Sequence, residues 1–134
     1  MYTNNYDGKP FRPNVVIDLE PGVYWFDTES ATGKTYLYRT LQKVVSFGDT
    51  VAYSYYDYEA GVDLAYRLRN CKDSIKVLIL DRYDMYFNEY IDLIEELGDH
   101  CIILIDTKNP NGLEFGHDGV CFIQLEENKI YVYR

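Results

Sequence analysis

The sequence predicts an α/β domain: a three-layer sandwich on a mainly parallel sheet, with a C-terminal antiparallel β-hairpin at the sheet edge. Three observations carry that expectation. Short apolar runs of strand length recur at Val23–Phe26, Val51–Tyr55, Ile75–Leu80 and Cys101–Ile105. The stretches between them return apolar residues at helical spacing. Strand-helix alternation of this kind calls for parallel strands joined by right-handed crossovers. After Pro110 the pattern changes: Val120–Leu125 and Ile130–Tyr133, joined by Glu126-Glu127-Asn128, read as a hairpin.

Taken in order, residues 1–13 are polar, with Asn4, Asn5, Gly8, Pro10 and Pro13, and read as an arm preceding a single domain over 14–134. Val15–Ile17 reads as a short strand closed by the turn Glu20-Pro21-Gly22. Val23–Phe26 is the first strand of the regular pattern. Lys34–Ser46 carries Leu37, Leu41, Val44 and Val45 at helical spacing and stops at Gly48. Val51–Tyr55 is strand-like again and Ala60–Arg69 helical. Ile75–Leu80 reads as a buried strand, and Phe87–Leu97 as a helix with Tyr90, Ile94 and Leu97 on one face, ended by Gly98. Cys101–Ile105 is the last of the buried parallel strands.

Bulk properties narrow the functional classes. A chain of 134 residues suits one domain with a real core. No apolar run approaches the ~18 residues of a membrane span, and no basic-then-apolar leader opens the chain, so a cytoplasmic protein without a membrane partner is expected. A net charge of −9 weighs against nucleic acid as a partner, because phosphate backbones are met by basic faces. Cys71, Cys101 and Cys121 are odd in number and far apart, which fits buried thiols better than a disulfide framework or a zinc site. Among 15 tyrosines, Tyr53, Tyr55, Tyr56 and Tyr58 read as residues of an amphipathic strand rather than as a base-stacking platform. His100 and His117 have no ligand pattern around them.

In a parallel sheet, ligands collect at the carboxyl ends of the strands. Val23–Phe26 leads into Asp27 to Thr35, Ile75–Leu80 into Asp81 and Asp84, and Cys101–Ile105 into Asp106 and Thr107. A lysine, hydroxyls and carboxylates at one edge suit phosphate and Mg²⁺.

The segment "TESATGKT", Thr28 to Thr35, resembles the Walker A motif G-x-x-x-x-G-K-[ST] of P-loop nucleoside triphosphatases. "KVLILDRYD", Lys76 to Asp84, resembles their Walker B strand, and "IILID" with Thr107 the sensor-1 strand of the AAA-like branch. The resemblance spans roughly Val23 to Thr107. It implies that the backbone N–H groups of Thr32, Gly33, Lys34 and Thr35 cradle the β-phosphate, and that Lys34 bridges β- and γ-phosphate oxygens. It further implies Mg²⁺ on the Thr35 hydroxyl and Asp81, with Thr107 reporting on the γ-phosphate and Asp84 or Asp106 orienting the attacking water.

Departures from the motif bear on function. Thr28 stands where the first glycine would be, a position demanding backbone freedom that a β-branched residue lacks. Asp27 and Glu29 flank the loop, and Arg82 stands where many AAA-like enzymes place a glutamate that acts as general base. Binding is therefore expected ahead of hydrolysis. The leading expectation is a small domain binding ATP, or GTP, with Mg²⁺ and hydrolysing it within a larger assembly, a protein partner supplying the missing finger or lid. The alternatives are a degenerate, non-hydrolysing module serving protein interaction or regulation, and a nucleic-acid-associated protein using its tyrosines.

Overall fold

Four-residue apolar runs that show no alternation are explained by burial on both faces: Val77–Leu80 and Ile102–Ile105 are buried at every position. The computed structural model describes residues 2–4, 14–26, 37–40, 49–68, 75–107, 119–127 and 129–134. Among these, the strands are β1 (Tyr2–Asn4), β2 (Asn14–Asp18), β3 (Gly22–Phe26), β4 (Thr50–Tyr53), β5 (Val77–Leu80), β6 (Ile102–Ile105), β7 (Gly119–Glu126) and β8 (Lys129–Tyr133). The helical segments are residues 37–40 (α1), Tyr55–Glu59 (α2), Leu64–Leu68 (α3) and Phe87–Leu97 (α4), with a 3₁₀ turn at Tyr83–Met85.

All eight strands form one sheet in the order β1-β2-β8-β7-β3-β6-β5-β4. The long strand β7 joins its two halves. Its first residues run parallel to β3, with Phe26 opposite Cys121, and its later residues run antiparallel to β8, with Phe122 opposite Tyr133. Beyond β8, β2 pairs in parallel and β1 antiparallel to β2.

This architecture corrects the expected three-layer sandwich with a mainly parallel sheet and a hairpin at its edge. Among the described residues strand outweighs helix, helices other than α4 run for at most five residues, and the sheet is mixed. The hairpin β7–β8 lies inside the sheet, because β2 occupies the outer side of β8. Part of the segment read as an arm, Tyr2–Asn4, forms the edge strand β1.

Local chemistry explains a second correction. Tyr55, Tyr56 and Tyr58 lie on helix α2 rather than on a strand, because Ser54 ends β4 with a capping box: its hydroxyl accepts from Asp57 N, and the Asp57 carboxylate accepts from Ser54 N at 2.9 Å. Gly61, at φ +81°, then turns the chain out of α2, so the helix expected over Ala60–Arg69 is confined to α3 in the described residues. Helix α4 keeps its expected bounds, with Ile94 fully buried and Tyr90 nearly so. Gly98 ends it where a Cβ would lie 3.0 Å from Val23 Cγ2, so glycine permits close approach to β3.

Each face of the sheet carries a buried cluster. One joins Trp25, Tyr53, Leu78, Leu80, Ile103 and Ile105 to Leu64, Leu68, Tyr90 and Ile94 of α3 and α4. The other joins Phe26, Ile79, Leu104 and Leu37 of α1 to Val15, Ile17, Ile130 and Val132. The second cluster thus runs continuously from the parallel strands into the N-terminal pair.

Candidate functional site

Register sets the geometry of the carboxyl edge. Trp25 is opposite Ile105, Ile105 opposite Leu80, and Leu80 opposite Tyr53. The next residues, Phe26, Asp106, Asp81 and Ser54, therefore form one row across four strands. With neighbouring parallel strands about 4.8 Å apart, Asp106 stands one spacing and Asp81 two spacings from the end of β3 that leads into Asp27.

The row is held by main-chain bonds. Asp81 N donates to Tyr53 O at 2.9 Å, Asp106 N donates to Leu80 O at 2.9 Å, and Tyr83 N donates to Asp106 O at 2.8 Å. The Tyr86 hydroxyl donates to the main-chain oxygen of Asp81 at 2.7 Å. Asp81 and Asp106 are half-buried and Thr107 is buried. Asp84 lies in the 3₁₀ turn that follows β5. Thr28 and the four loop residues Thr32, Gly33, Lys34 and Thr35 lie outside the described residues, as do Cys71, His117 and Arg69.

Arg82 is the non-glycine residue with positive φ among those described, at φ 51° and ψ 50°. Left-handed backbone disfavours a side chain with a Cβ, so the tight turn between Asp81 and Tyr83 holds it there. Its guanidinium lies 5.7 Å from the centroid of Tyr55, and its Nε is buried without a hydrogen-bond partner. Tyr55 follows β4, on the far side of β5 from β6 and β3, so Arg82 turns away from the end of β3.

Tyr38, Ser54, Asp57 and Arg67 gather near the ends of β4 and β5. Burial raises the phenol of Tyr38, on α1, above its ordinary value; the nearby Ser54 hydroxyl works against the shift, and the carboxylates of Asp57 and Asp81 add to it. Arg67 grips Asp57 with two bonds of 3.1 and 3.2 Å and donates to Ala52 O at 3.0 Å, capping an outward carbonyl of edge strand β4. The spacing Ser54-x-x-Asp57 is a legible capping signal. Nothing local announces the pairing of Arg67 with Asp57, which comes from packing.

Beneath this edge Tyr53, Tyr83, Tyr86 and Tyr90 pack edge to face, with ring centroids 5.3 to 6.3 Å apart. Tyr53 donates to Val62 O. Burial raises the phenols of Tyr53, Tyr83 and Tyr86 above their ordinary value of 10.0 and pushes the Cys121 thiol up to about 12. These groups keep their protons in the native state after the unfolded chain has lost them, so their contribution is complete below about pH 8 and lost as pH rises. The urea midpoint should hold between pH 7 and 8 and fall steeply from pH 9 to 11, each group adding up to about 1.4 kcal/mol per pH unit in its window. A midpoint unchanged at pH 11 would show these side chains to be solvated.

Cys101 and Cys121 are buried free thiols. Among the described residues no group of three or more histidine, cysteine, aspartate or glutamate side chains forms a metal cage, and no helix is long and apolar enough to cross a membrane. A single carboxylate with a hydroxyl and phosphate oxygens is the alternative way to hold Mg²⁺, which demands few protein ligands. No family model, curated protein or solved structure matches this chain.

Proposed function

We propose that the chain binds a nucleoside triphosphate, ATP in preference to GTP, together with Mg²⁺ at the carboxyl edge of β3, β6 and β5. The supporting observation is the registered row in which the end of β3, leading into "TESATGKT", stands beside Asp106 and two strands from Asp81. In this reading Thr32 to Thr35 supply backbone N–H groups and Lys34 a compact charge to the phosphates, while Thr35 and Asp81 hold Mg²⁺. Asp106 and Thr107, on the strand between, face the γ-phosphate. Arg67 is engaged with Asp57 and Arg82 lies over Tyr55, which leaves Arg39, Arg69 or a protein partner to supply an arginine for hydrolysis. A cytoplasmic setting supplies both nucleotide and metal.

One observation favours a second reading, a non-hydrolysing module for protein interaction: β7 presents Val120 and Phe122 to solvent, 46% and 37% exposed.

Calorimetric titration of the folded protein with Mg-ATP and Mg-GTP tests the first reading. Saturable heat is expected; no heat at millimolar nucleotide would leave the interaction module standing. Asp81→Asn should weaken Mg-ATP binding about tenfold or more and leave metal-free ATP nearly unaffected, since the carboxylate acts through the ion. Equal weakening of both would remove Asp81 from the metal.

A further inference from the structure

A strand with one face in the core ordinarily turns polar residues outward, and β7 and β8 do not. They bury Cys121, Ile130 and Val132 on one side and carry Val120, Phe122, Tyr131 and Tyr133 on the other. Register says which side that is. Val120 pairs with Trp25, which belongs to the cluster packed against α3 and α4, so Val120 and Phe122 point to the same side of the sheet as those helices. Phe122 pairs with Tyr133, and Tyr131 pairs with Val16 of β2, extending the apolar side across three strands. Over β3 to β4 it is buried under helices; over β7, β8 and β2 it opens to solvent, with Val120 and Phe122 exposed and Val16, Tyr131 and Tyr133 half-exposed.

The rings on this floor form a ridge. Tyr131 and Tyr133 stack with centroids 5.3 Å apart, and Phe122 lies 5.8 Å from Tyr133. Lys129 Nζ sits 4.8 Å from the centroid of the Tyr131 ring, so the chain itself already lays one ammonium on the ridge. Asp18, which accepts from the Tyr131 hydroxyl at 3.0 Å, and Glu126 stand at the margin.

The wall beside the floor is acidic. The end of α4 abuts β3, the strand next to β7, where a Cβ on Gly98 would lie 3.0 Å from Val23 Cγ2. Glu89, Asp92, Glu95 and Glu96 of α4 are exposed, and the helix contains no lysine or arginine. Glu95 and Glu96 sit in its last turn, against the negative end of the helix dipole, a placement that helix stability disfavours. The net charge of −9 gives the wider field the same sign.

We propose that this face docks a segment of a protein partner that presents apolar or aromatic side chains beside lysines and arginines. The floor receives the former, and the ring ridge and acidic wall receive the latter. From β7 to β2 the floor is about 10 Å wide, room for one peptide segment. The inference builds on the interaction reading of β7 above and lies off the carboxyl edge, so it holds whether or not the chain binds nucleotide.

The test is fluorescence titration of the full chain with three labelled synthetic peptides: alternating lysine with phenylalanine or leucine, the same with glutamate for lysine, and alternating lysine with serine. The first should bind saturably, at least about tenfold tighter than either of the others, because it alone satisfies both floor and wall. Phe122→Ser should weaken that binding about tenfold, as loss of a central aromatic anchor does, and Val120→Ser should act in the same direction. Glu95→Lys with Glu96→Lys, which suits the helix dipole, should weaken binding severalfold at low salt and less at high salt. Tyr56→Ser, an exposed aromatic following the opposite edge strand β4, should change nothing. Thermal melts of each variant without peptide confirm the fold. A basic peptide that fails to bind, or that binds Phe122→Ser and Val120→Ser as well as the wild type, would overturn the proposal. Tighter binding of the glutamate peptide, lost in those two variants, would keep an interaction face and overturn the basic partner. A chain that is dimeric on its own and made monomeric by Phe122→Ser would assign the face to a second copy, which also overturns it.

Discussion

Lys34→Ala should abolish Mg-ATP binding at concentrations that saturate the wild type, while the ligand-free melting temperature moves by no more than about 2 °C. The two halves of this expectation have different causes. A lysine ammonium between β- and γ-phosphate oxygens is a charge-assisted contact, and truncating one partner of such a pair costs about 2–5 kcal/mol, roughly thirtyfold to several thousandfold in affinity. Asp27 and Glu29 flank the segment in sequence, and in the triphosphate reading their negative charge would sharpen the effect of losing the lysine. Stability should be nearly indifferent, because the core clusters are built from the strands and helices described above and draw nothing from a lysine charge. Calorimetry and a thermal melt on the same preparation separate the outcomes. Retained binding would move the nucleotide away from "TESATGKT", and a large loss of ligand-free stability would make Lys34 a structural residue.

What the sequence revealed and what it concealed follow from the range of the interactions involved. Strands β3, β5 and β6 and helix α4 were legible because burial on both faces, or a single apolar stripe, writes itself into consecutive residues. So were the polar residues at the strand ends, since Asp81 and Asp106 follow the last apolar residue of each run. Pairing partners are not local. Nothing in Asn14–Asp18 says that it will lie beside Lys129–Tyr133, more than a hundred residues later, and that contact moves the hairpin from the edge into the sheet. The tyrosine-rich stretch after β4 misled for the opposite reason. Its aromatic residues suit a strand, but the Ser54–Asp57 cap captures the chain for α2, a local hydrogen-bond pair outweighing propensity. The Arg67–Asp57 pair was not legible because the two residues meet only when α3 packs against the edge of β4.

Ile17→Asp should unfold the chain at 25 °C, and it tests the corrected architecture most directly. Ile17 pairs with Val132 on one side and Tyr2 on the other, and it is fully buried with Val15, Ile130 and Val132. A carboxylate placed there has no cation in the surrounding cluster, and it ionises only at the cost of desolvation or stays protonated at the cost of a raised pKa. With the lost apolar contacts, the penalty is about 4 kcal/mol or more, comparable with the whole stability of a small domain. The control is Val120→Asp, about half exposed on β7, which should change the urea midpoint by about 0.5 kcal/mol or less. Strand periodicity makes the contrast demanding, since a slip of one residue in β2 would turn Ile17 outward and bury its neighbours instead. Comparable tolerance of the two substitutions would place β2 outside the sheet and return the β7–β8 hairpin to its edge. Loss of the cooperative transition in Ile17→Asp alone would fix the N-terminal strand as part of the core that carries the row Phe26, Asp106, Asp81 and Ser54, because cluster and row share strands β3 to β6.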